Sequence, residues 1–529
     1  MLRKTTLLML ALLLGCSTTT NDKKSDTGVT AEVATGDAGA ELVTPPDSVT
    51  DVLPEVTEVL PPPGPESRGW KLKRGVVHLH SALSHDGCAP DGYEDFGGPE
   101  PTCLAELRAA PCANDMDFLM MTDHPGHSSE HTFEEMLQYQ EGDEIILDAQ
   151  ERPFANRITC PADSVVEEVY IFAGTEGSKH MPLAMAGPIP PKVFQQNYMD
   201  ESPLEEAQIA RDLTHEQGGY VYIPHPEENS ISVERIVAVP LDGIEIYNIH
   251  ANLMTMLESM DSIFAIDMFM PGSENPPDSD LGLLIFLAPV ANDVLKFDAA
   301  AAQVRLSHVA ATDIHRNVEI PALCPGGIEG SLCEKFADDY PNFAEFAQVG
   351  GPVPMADGDR IDSYARSFRW LSNRALVADD DPQSIRDAIG MGRSYSTFDL
   401  FGYPTAFDFY LDGAGATIEM GEETAFAQGL SLHFNTPLIT AAPWRADAGW
   451  DYAEADVTCK LIRADADGST VVMEAAGQGG QVTASADVPG AYRVFCEIVP
   501  HHVKSELPGL EKLTTKSYPY IYSNAIFLR

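Results

Sequence analysis

Two histidines separated by one residue, His78 and His80, follow a short apolar run that begins at Gly75. Residues i and i+2 of an extended segment point to the same face, so both imidazoles can contact one ion. Asp86 follows in the turn just beyond. Imidazole and carboxylate ligands suit zinc, manganese or iron. Because an isolated His-x-His pair is also typical of a polar strand end, the metal hypothesis depends on ligands from elsewhere in the chain.

Further along the chain, short apolar runs repeatedly end in a residue that can bind a metal. These runs are 117–122 before Asp123 and His124, 169–175 before Glu176 and His180, 219–224 before His225, 243–247 before Asn248, and 306–312 before Asp313 and His315. Such runs are typical of strands buried on both faces, and helix-like stretches such as 203–217 lie between them. This alternation, with ligands at strand ends, predicts an α/β fold with a parallel sheet in a β/α barrel. A lone histidine would be interpreted as a core or turn residue, so the prediction depends on the set.

Taken in order, the motifs within residues 71–400 resemble those of the polymerase and histidinol phosphatase (PHP) metallohydrolases. The matching segments are His78-Leu79-His80-Ser81 with Asp86-Gly87, Asp117-Phe118-Leu119 with Thr122-Asp123-His124, Gly174-Thr175-Glu176 with His180, His225-Pro226, and Asp313-Ile314-His315. The resemblance implies a distorted (β/α)7 barrel that holds two or three divalent metal ions. It places one metal on His78, His80, Glu176 and Asp313, a second on Glu176, His180 and His225, and a third on Asp86, His124 and His315.

Bridged divalent ions lower the pKa of a bound water and stabilise charge on a substrate oxygen. The expected nucleophile is therefore a metal-bridging hydroxide, with Glu176 and Asp313 as the central catalytic ligands. Asp123 is expected to orient a ligand imidazole, with turn capping as the alternative. Arg316 has two interpretations, binding of a substrate phosphate or carboxylate and a structural salt bridge, and Lys179 has the same two. Glu245 and Asn248 either line the same opening or support the fold.

The N-terminal region reads as a targeting segment and a tether. Residues 1–16 combine Arg3 and Lys4 with a short apolar run, and Leu13-Leu14-Gly15-Cys16 resembles the lipobox of bacterial lipoproteins. The resemblance implies lipidation of Cys16, and Ser17 after it favours the outer membrane. A plain secretory signal is the alternative. Residues 17–66 lack aromatic side chains and are predicted to be a disordered tether.

Composition limits the partners. The 81 acidic and 33 basic residues give a formal charge of −48, which disfavours nucleic acid as a partner and leaves a small molecule as the expected substrate. Eight cysteines besides Cys16 indicate disulfides in an oxidising compartment. Cys459 could pair with Cys496 and Cys324 with Cys333, while spacing does not assign Cys88, Cys103, Cys112 and Cys160.

The metallohydrolase domain is predicted to span 67–402, with an irregular insertion at 317–362 that restricts access to the site. Within it, 363–376 and 382–390 are predicted to be helical. Short alternating runs in 403–529 predict an accessory antiparallel β-sandwich. Segments 393–397 and 521–526 resemble a PHP branch that includes carbaryl (carbamate ester) hydrolases.

Three functions follow from these patterns. The first is an exported metal-dependent phosphoesterase, the commonest activity in the PHP family. The second is a carbamate, ester or amide hydrolase, which the C-terminal resemblance favours. The third is a non-catalytic binding lipoprotein, which ranks last because all nine ligand positions are filled.

Overall fold

The computed structural model describes residues 63–88, 100–177, 179–190, 193, 204–228, 230–239, 241–256, 260–287, 291–331, 333–413 and 415–529. The predicted lipoprotein signal, Cys16 and nearly all of the predicted tether lie outside these residues. Across the described ranges, no helix has both the length and the apolar character needed to cross a membrane.

The strands are β1 (Lys71–Leu79), β2 (Phe118–Met120), β3 (Glu144–Leu147), β4 (Pro153–Thr159), β5 (Glu168–Phe172), β6 (Met181–Leu183), β7 (Tyr220–Ile223), β8 (Gly243–Asn248), β9 (Ser307–Ile314), β10 (Glu319–Ile320), β11 (Gly351–Pro352), β12 (Ser372–Val377), β13 (Ser394–Thr397), β14 (Tyr403–Thr405), β15 (Asp408–Gly413), β16 (Ala416–Glu419), β17 (Glu423–Thr424), β18 (Ser431–Asn435), β19 (Leu438–Thr440), β20 (Asp456–Asp465), β21 (Gly468–Ala476), β22 (Gln481–Ser485), β23 (Gly490–Val499), β24 (Tyr518–Ser523) and β25 (Ile526–Leu528).

The α-helices are α1 (Pro101–Ala113), α2 (Pro125–Ser128), α3 (Phe133–Met136), α4 (Leu204–Glu216), α5 (Val233–Ala238), α6 (Ile249–Met256), α7 (Met260–Phe269), α8 (Ala291–Ala301), α9 (Glu334–Ala337), α10 (Pro341–Val349), α11 (Tyr364–Ser367) and α12 (Pro382–Met391). Short 3-10 helices occupy Pro65–Arg68, Ser279–Ile285, Asp399–Phe401, Pro443–Arg445, Tyr452–Glu454, His501–Glu506 and Glu511–Thr515.

A run of parallel strands forms the centre of one large mixed sheet. Hydrogen bonding follows the order β5–β2–β1–β9–β8–β7, and every pairing in this run is parallel. β6 pairs antiparallel with β7, and backbone bonds from Thr175 to Pro182 and from Met185 to Ala173 connect it with the end of β5. Because parallel strands end at the same edge, the residues after β1, β2, β5, β7 and β9 are brought together.

Burial explains why these strands form at the predicted runs. All eight residues of β9 are buried, as are the last six of β1, which is the environment that a near-continuous apolar run requires. The α/β class and a separate antiparallel sheet are confirmed. The closed (β/α)7 arrangement of the PHP type stays a prediction.

The C-terminal strands belong to three sheets. β24 pairs with β13, and β23, β20 and β21 follow it, so these strands extend the large sheet. A separate antiparallel sheet has the order β16–β15–β18–β22, and β14 and β19 form an antiparallel pair. Side chains of the large sheet and the four-stranded sheet, among them Phe409, Phe434 and Val494, share one buried core. The domain boundary at 402 and 403 and the accessory sandwich stay predictions.

Two local predictions differ from the structure. The predicted helix over 363–376 is wrong beyond α11, because Ser372–Val377 is strand β12 and pairs antiparallel with β1, a tertiary contact that outweighs local helix preference. The insertion at 317–362 is more regular than predicted, since it contains α10 and the two-stranded sheet of β10 and β11. Pro341 at the start of α10 and Gly350 after its end are the sequence signals for that helix.

Four disulfides join the eight cysteines. Cys324–Cys333 and Cys459–Cys496 confirm the two predicted pairs. Cys88–Cys103 and Cys112–Cys160 are the pairs that spacing did not assign. Cys88 lies two residues after Asp86, and its N–H donates to the carbonyl of His315 at 2.8 Å.

Candidate metal centre

The predicted ligands converge where the parallel strands end. His78 is the penultimate residue of β1 and His80 follows that strand, while Asp313 lies near the end of β9 and His315 just after it. The register of β1 with β9 shifts between Val77 and Leu79. This irregularity lies at His78.

Three of these residues have a left-handed backbone. The φ angles are 64° at His78, 50° at His225 and 52° at Asp313. Residues other than glycine rarely adopt this backbone conformation, and each such residue costs about 1–3 kcal/mol of folding free energy. The surrounding sheet therefore holds the ligands in positions that the backbone alone does not favour.

Two carboxylates form the centre of the cluster. His78 Nε2 lies 3.1 Å from both Glu176 Oε2 and Asp313 Oδ1. His80 Nε2 lies 3.3 Å from the same two oxygens. His225 Nε2 approaches the opposite oxygens, at 3.2 Å from Glu176 Oε1 and 3.4 Å from Asp313 Oδ2.

Asp86 organises a neighbouring group. Its Oδ2 lies 3.4 Å from His124 Nε2 and 3.3 Å from His315 Nε2. The rings of His80 and His315 are stacked, with centroids 3.8 Å apart. His80 therefore belongs to two candidate metal groups, one with His78, Glu176 and Asp313 and the other with Asp86, His124 and His315.

Five of the site histidines have their other ring nitrogen, Nδ1, already engaged with an oxygen atom. The Nδ1 atoms contact Glu245 Oε1 (His78), Ser84 Oγ at 3.3 Å (His80), the Glu176 carbonyl at 3.0 Å (His124), Glu227 Oε1 at 3.2 Å (His225) and the Asp313 carbonyl at 3.0 Å (His315). When these imidazoles are neutral, oxygen acceptors at Nδ1 favour the tautomer with its lone pair on Nε2. Each Nε2 is thus presented as a ligand in the manner typical of metal sites.

The donor set fits divalent ions. His78 Nε2, His80 Nε2 and Asp313 Oδ1 are buried and make no hydrogen bond, although buried polar atoms are nearly always paired. With metal–ligand bonds of about 2.1 Å, tetrahedral ligand atoms lie about 3.4 Å apart. The separations of 3.1 to 3.4 Å between the imidazole and carboxylate atoms match that spacing.

The pKa values of the site residues are shifted by burial and by the charges of their neighbours. Burial raises the pKa of Glu176, but His78 and His225 outweigh it and hold that pKa well below its ordinary value. Burial lowers the pKa of His124, yet Asp86 and Glu176 raise it to about 9. The pKa of His80 falls to about 4 because of burial and the neighbouring His315. The carboxylates of the cluster are therefore stabilised by neighbouring positive charge.

One predicted ligand is placed differently. His180 is buried, but its Nε2 lies 2.7 Å from the Val193 carbonyl, and it is absent from the candidate metal groups found among the described residues. His225, its predicted partner, contacts Glu176 and Asp313 without it. Metal binding by His180 stays a prediction.

Asp123 contacts Ser81 instead of the predicted imidazole. It accepts hydrogen bonds from the Ser81 amide and, at 2.8 Å, from the Ser81 hydroxyl. Burial raises the pKa of Asp123 to about 6 in spite of these bonds. Since successive residues at a strand end point in different directions, Asp123 fixes the turn after His80 while His124 faces the site.

Arg316 and Lys179 each form an ion pair with a carboxylate, and substrate binding by either residue stays a prediction. Arg316 Nε donates to Glu106 Oε2 at 2.6 Å, and Glu106 also accepts from the Tyr364 amide. Lys179 Nζ donates to Ser230 Oγ at 2.7 Å and lies 3.3 Å from Glu228.

Two further residues belong to the site. Glu245 holds His78 through Nδ1 and also accepts from the His225 amide at 2.9 Å, which gives it a positioning role. His250 forms a third candidate group with Asp313 and His315 and was not identified from the sequence. Its signal was available, because it follows Asn248 by two residues at the end of an apolar run.

Comparisons with known proteins found similarity to a solved structure. No protein-family model matches the chain. No curated protein matches it either. A solved structure to which this chain is similar is a two-domain protein containing a predicted PHP-like metal-dependent phosphoesterase from Bacteroides vulgatus ATCC 8482. The two chains are 10% identical, the alignment covers 86% of this chain and 96% of the other, and the TM-score is 0.27.

Proposed function

We propose that this chain is a metal-dependent hydrolase of the PHP type that acts on a small-molecule phosphoester. The observation that carries the proposal is the common orientation of five histidines, each bonded through Nδ1 to an oxygen and directing Nε2 toward Glu176, Asp313 or Asp86. A merely structural histidine cluster has no need to keep the same ring nitrogen available five times. Overlapping ligand groups support two or three ions.

The proposal includes the fold. β1, β2, β5, β6, β7, β8 and β9 follow one another by backbone hydrogen bonds and return to β1. We propose that these seven strands are the distorted (β/α)7 barrel implied by the sequence motifs. Ligands at the strand ends are the usual place for a site in such a barrel.

The proposed chemistry combines the Lewis acidity of bound divalent ions with side chains that hold the metal ligands in place. Divalent ions on these ligands would acidify water and neutralise charge that develops on the substrate. The protein's own contribution is positioning. Glu245 holds the ring of His78, and Asn248 Nδ2 donates to Glu245 at 3.1 Å and to Asp313 at 3.3 Å. Burial of His78, His80 and Asp313 excludes bulk water and strengthens every charge interaction among them.

A carbamate, ester or amide substrate is the second candidate. It is favoured by the salt bridges of Arg316 and Lys179, because both cations are paired with carboxylates of the protein. An uncharged carboxyl-type ester requires no cationic partner. The third candidate, a non-catalytic binding lipoprotein, requires that the loaded protein turn over neither class.

Turnover with defined metals separates these functions. Purified protein would be loaded with manganese, zinc or iron and assayed on p-nitrophenyl phosphate, bis-p-nitrophenyl phosphate, p-nitrophenyl acetate and a p-nitrophenyl carbamate. We expect metal-dependent release from a phosphoester. Release from the carboxyl-type esters alone would replace the phosphoesterase proposal with the second candidate, and a metal-free protein without turnover would contradict both.

We also propose export and attachment to the outer membrane through a lipid on Cys16. Four disulfides among the described residues support an oxidising compartment. Mass spectrometry of the mature N-terminal peptide tests the anchor. An unmodified chain that retains residues before Cys16 would contradict it.

A further inference from the structure

A cavity lies beside the ligand cluster and is lined mainly by apolar side chains. Asp313, His315 and His250 form its polar end. Its apolar walls include Leu283, Phe286, Ile361 and Trp370. With its open mouth the cavity measures about 500 Å³, and the centre of a water molecule can move through about 40 Å³ of it. A group bound here would therefore touch the ligand residues directly.

The free space is limited. Holding one water requires roughly 10–15 Å³ on the same measure, so the cavity has room for only a few waters. A single ring or a short branched chain fits this space, whereas two fused rings exceed it.

Two buried donors on the lining have no hydrogen-bond partner. They are Ser367 Oγ and Trp370 Nε1, on side chains that are 0% and 6% exposed. Buried donors without a partner are rare in folded proteins and call for an acceptor. Both residues line the cavity, so a group bound there lies beside two donors that have no partner in the protein.

The other polar groups of the lining are already bonded. Asp362 accepts from the Val318 amide at 2.7 Å and from Arg360 at 2.6 Å. Asn317 donates to the Asp86 carbonyl at 2.9 Å. The lining residues away from the ligand end thus offer a bound group apolar contact and two donors, with no uncompensated charge.

We propose that this cavity binds an uncharged, mainly apolar group of the substrate, next to the bond that is cleaved. The group has the size of one ring or a short branched chain and carries an acceptor that Ser367 or Trp370 can reach. This inference rests on the proposed hydrolase function and specifies its substrate class. Asn317, Val318, Ile361 and Asp362 also line the cavity, so both ends of the 317–362 insertion would contribute to selectivity.

A graded set of substrates tests the inference. The metal-loaded protein would be assayed on methyl, 2-methylpropyl, benzyl and 2-naphthylmethyl phosphates, with the corresponding acetates in parallel. We expect kcat/KM for the benzyl compound to exceed that for the methyl and naphthylmethyl compounds by about tenfold or more, as one well-filled apolar site provides. Equal values across the series would overturn the inference while leaving the hydrolase proposal intact. No turnover of any compound by metal-loaded protein would instead contradict the proposed function.

Variants identify the cavity as the origin of the preference. Leu283→Trp fills it and should lower the benzyl-to-methyl ratio about tenfold. Leu283→Ala should shift the preference toward the naphthylmethyl compound. Leu295→Trp makes the same change at a side chain that is 60% exposed and should keep the wild-type ratio. Unchanged ratios in both Leu283 variants would overturn the inference.

Binding without turnover provides a second measurement. Fluorine NMR would follow 4-fluorobenzyl alcohol with the metal-loaded wild type and with Trp370→Phe, which removes the N–H and keeps an apolar ring. We expect binding to the wild type that weakens severalfold in the variant, because the alcohol oxygen loses a donor. Equal affinity for both, or no binding to the wild type, would overturn the assignment of Trp370 or of the whole cavity. This measurement stands even if the Leu283 variants do not fold.

Discussion

The ligand edge and the C-terminal strands of the large sheet differ in what their residues contribute. At the ligand edge, His78, His225 and Asp313 have left-handed backbones, and buried nitrogens and oxygens make no hydrogen bond. In β20 and β23 the register is continuous, and Cys459 lies opposite its disulfide partner Cys496. At the ligand edge, strain and unsatisfied groups thus fall on the candidate metal ligands themselves, whereas β20 and β23 pair without a shift in register.

The largest effect is expected when a metal ligand is removed from the ligand edge. Asp313→Ala removes a carboxylate that the Nε2 atoms of three histidines approach. It should abolish metal binding at that position and reduce turnover by more than the roughly 100-fold that loss of an outer partner can cost. Elemental analysis and kinetics measure both. Asp467→Ala, in an exposed turn of the C-terminal strands, is the matched control, and full metal content in Asp313→Ala would contradict the ligand set.

The second prediction concerns the disulfide in the C-terminal strands of the large sheet. Replacing Cys459 and Cys496 together by Ser opens a link with a sequence separation of 37. The free energy of unfolding should fall by about 3–4 kcal/mol, while metal content and turnover at 25 °C stay at wild-type values. Denaturant unfolding and elemental analysis measure the two effects. The same change at Cys324 and Cys333, with a separation of 9, should cost less, about 2.5 kcal/mol. Loss of metal in the Cys459 and Cys496 variant would show that the two regions are not separable.

The third prediction concerns a residue that supports a ligand without touching the metal. Glu245→Gln keeps the shape of the side chain but weakens its bond to His78 Nδ1. Metal affinity should fall about 10- to 100-fold with little change in fold, as measured by competition with a chelator. Glu423→Gln, at a partly exposed surface position of β17, should leave affinity unchanged. A Glu245→Gln protein with wild-type affinity would assign Glu245 to fold support alone.

The fourth prediction uses a histidine on β9, the strand that carries Asp313. Burial lowers the pKa of His308 to about 3, and its Nε2 donates to the Ser523 carbonyl at 2.8 Å. The unfolded chain takes up this proton near pH 6.5, whereas the folded chain resists until about pH 3. The contribution of His308 to stability is therefore complete above pH 6.5 and declines as the pH falls, by about 2 kcal/mol at pH 5.

The pH dependence of unfolding measures this effect. Between pH 7.5 and pH 5, wild-type protein should lose about 2 kcal/mol more unfolding free energy than His308→Gln does. Identical pH profiles for the two proteins would contradict a neutral buried His308. At the ligand edge the shift has the opposite direction, because Asp86 and Glu176 raise the pKa of the site histidine His124.

The smallest expected effect is at a histidine that is near the site in sequence but outside the candidate metal groups. His131 Nδ1 lies 3.4 Å from the exposed carboxylate of Glu135 in an i, i+4 pair. Loss of this ion pair in Glu135→Gln should change the unfolding free energy by less than about 0.5 kcal/mol, and His131→Ala should leave the metal content unchanged. Loss of metal in this variant would enlarge the ligand set.

Much of the site could be predicted because parallel strands fix where their ends lie. A ligand-type residue after each apolar run therefore placed His78, His124, His225 and His315 together. The choice between Nδ1 and Nε2 depends on tertiary neighbours, which is why Glu245 was not recognised as the partner of His78. Strand partners also depend on tertiary contacts, so the pairing of β13 with β24 was not predictable from alternation.

The Cys88–Cys103 disulfide has a consequence for the metal centre. It ties the segment that follows Asp86 to helix α1, and the Cys88 amide also bonds the carbonyl of His315. Reduction would release one side of the turn that holds Asp86 between His124 and His315. Thiol reductants should therefore act as effectors that weaken metal binding, and by reciprocity bound metal should make this disulfide harder to reduce. The compartment's redox potential would then set how firmly the ions are held.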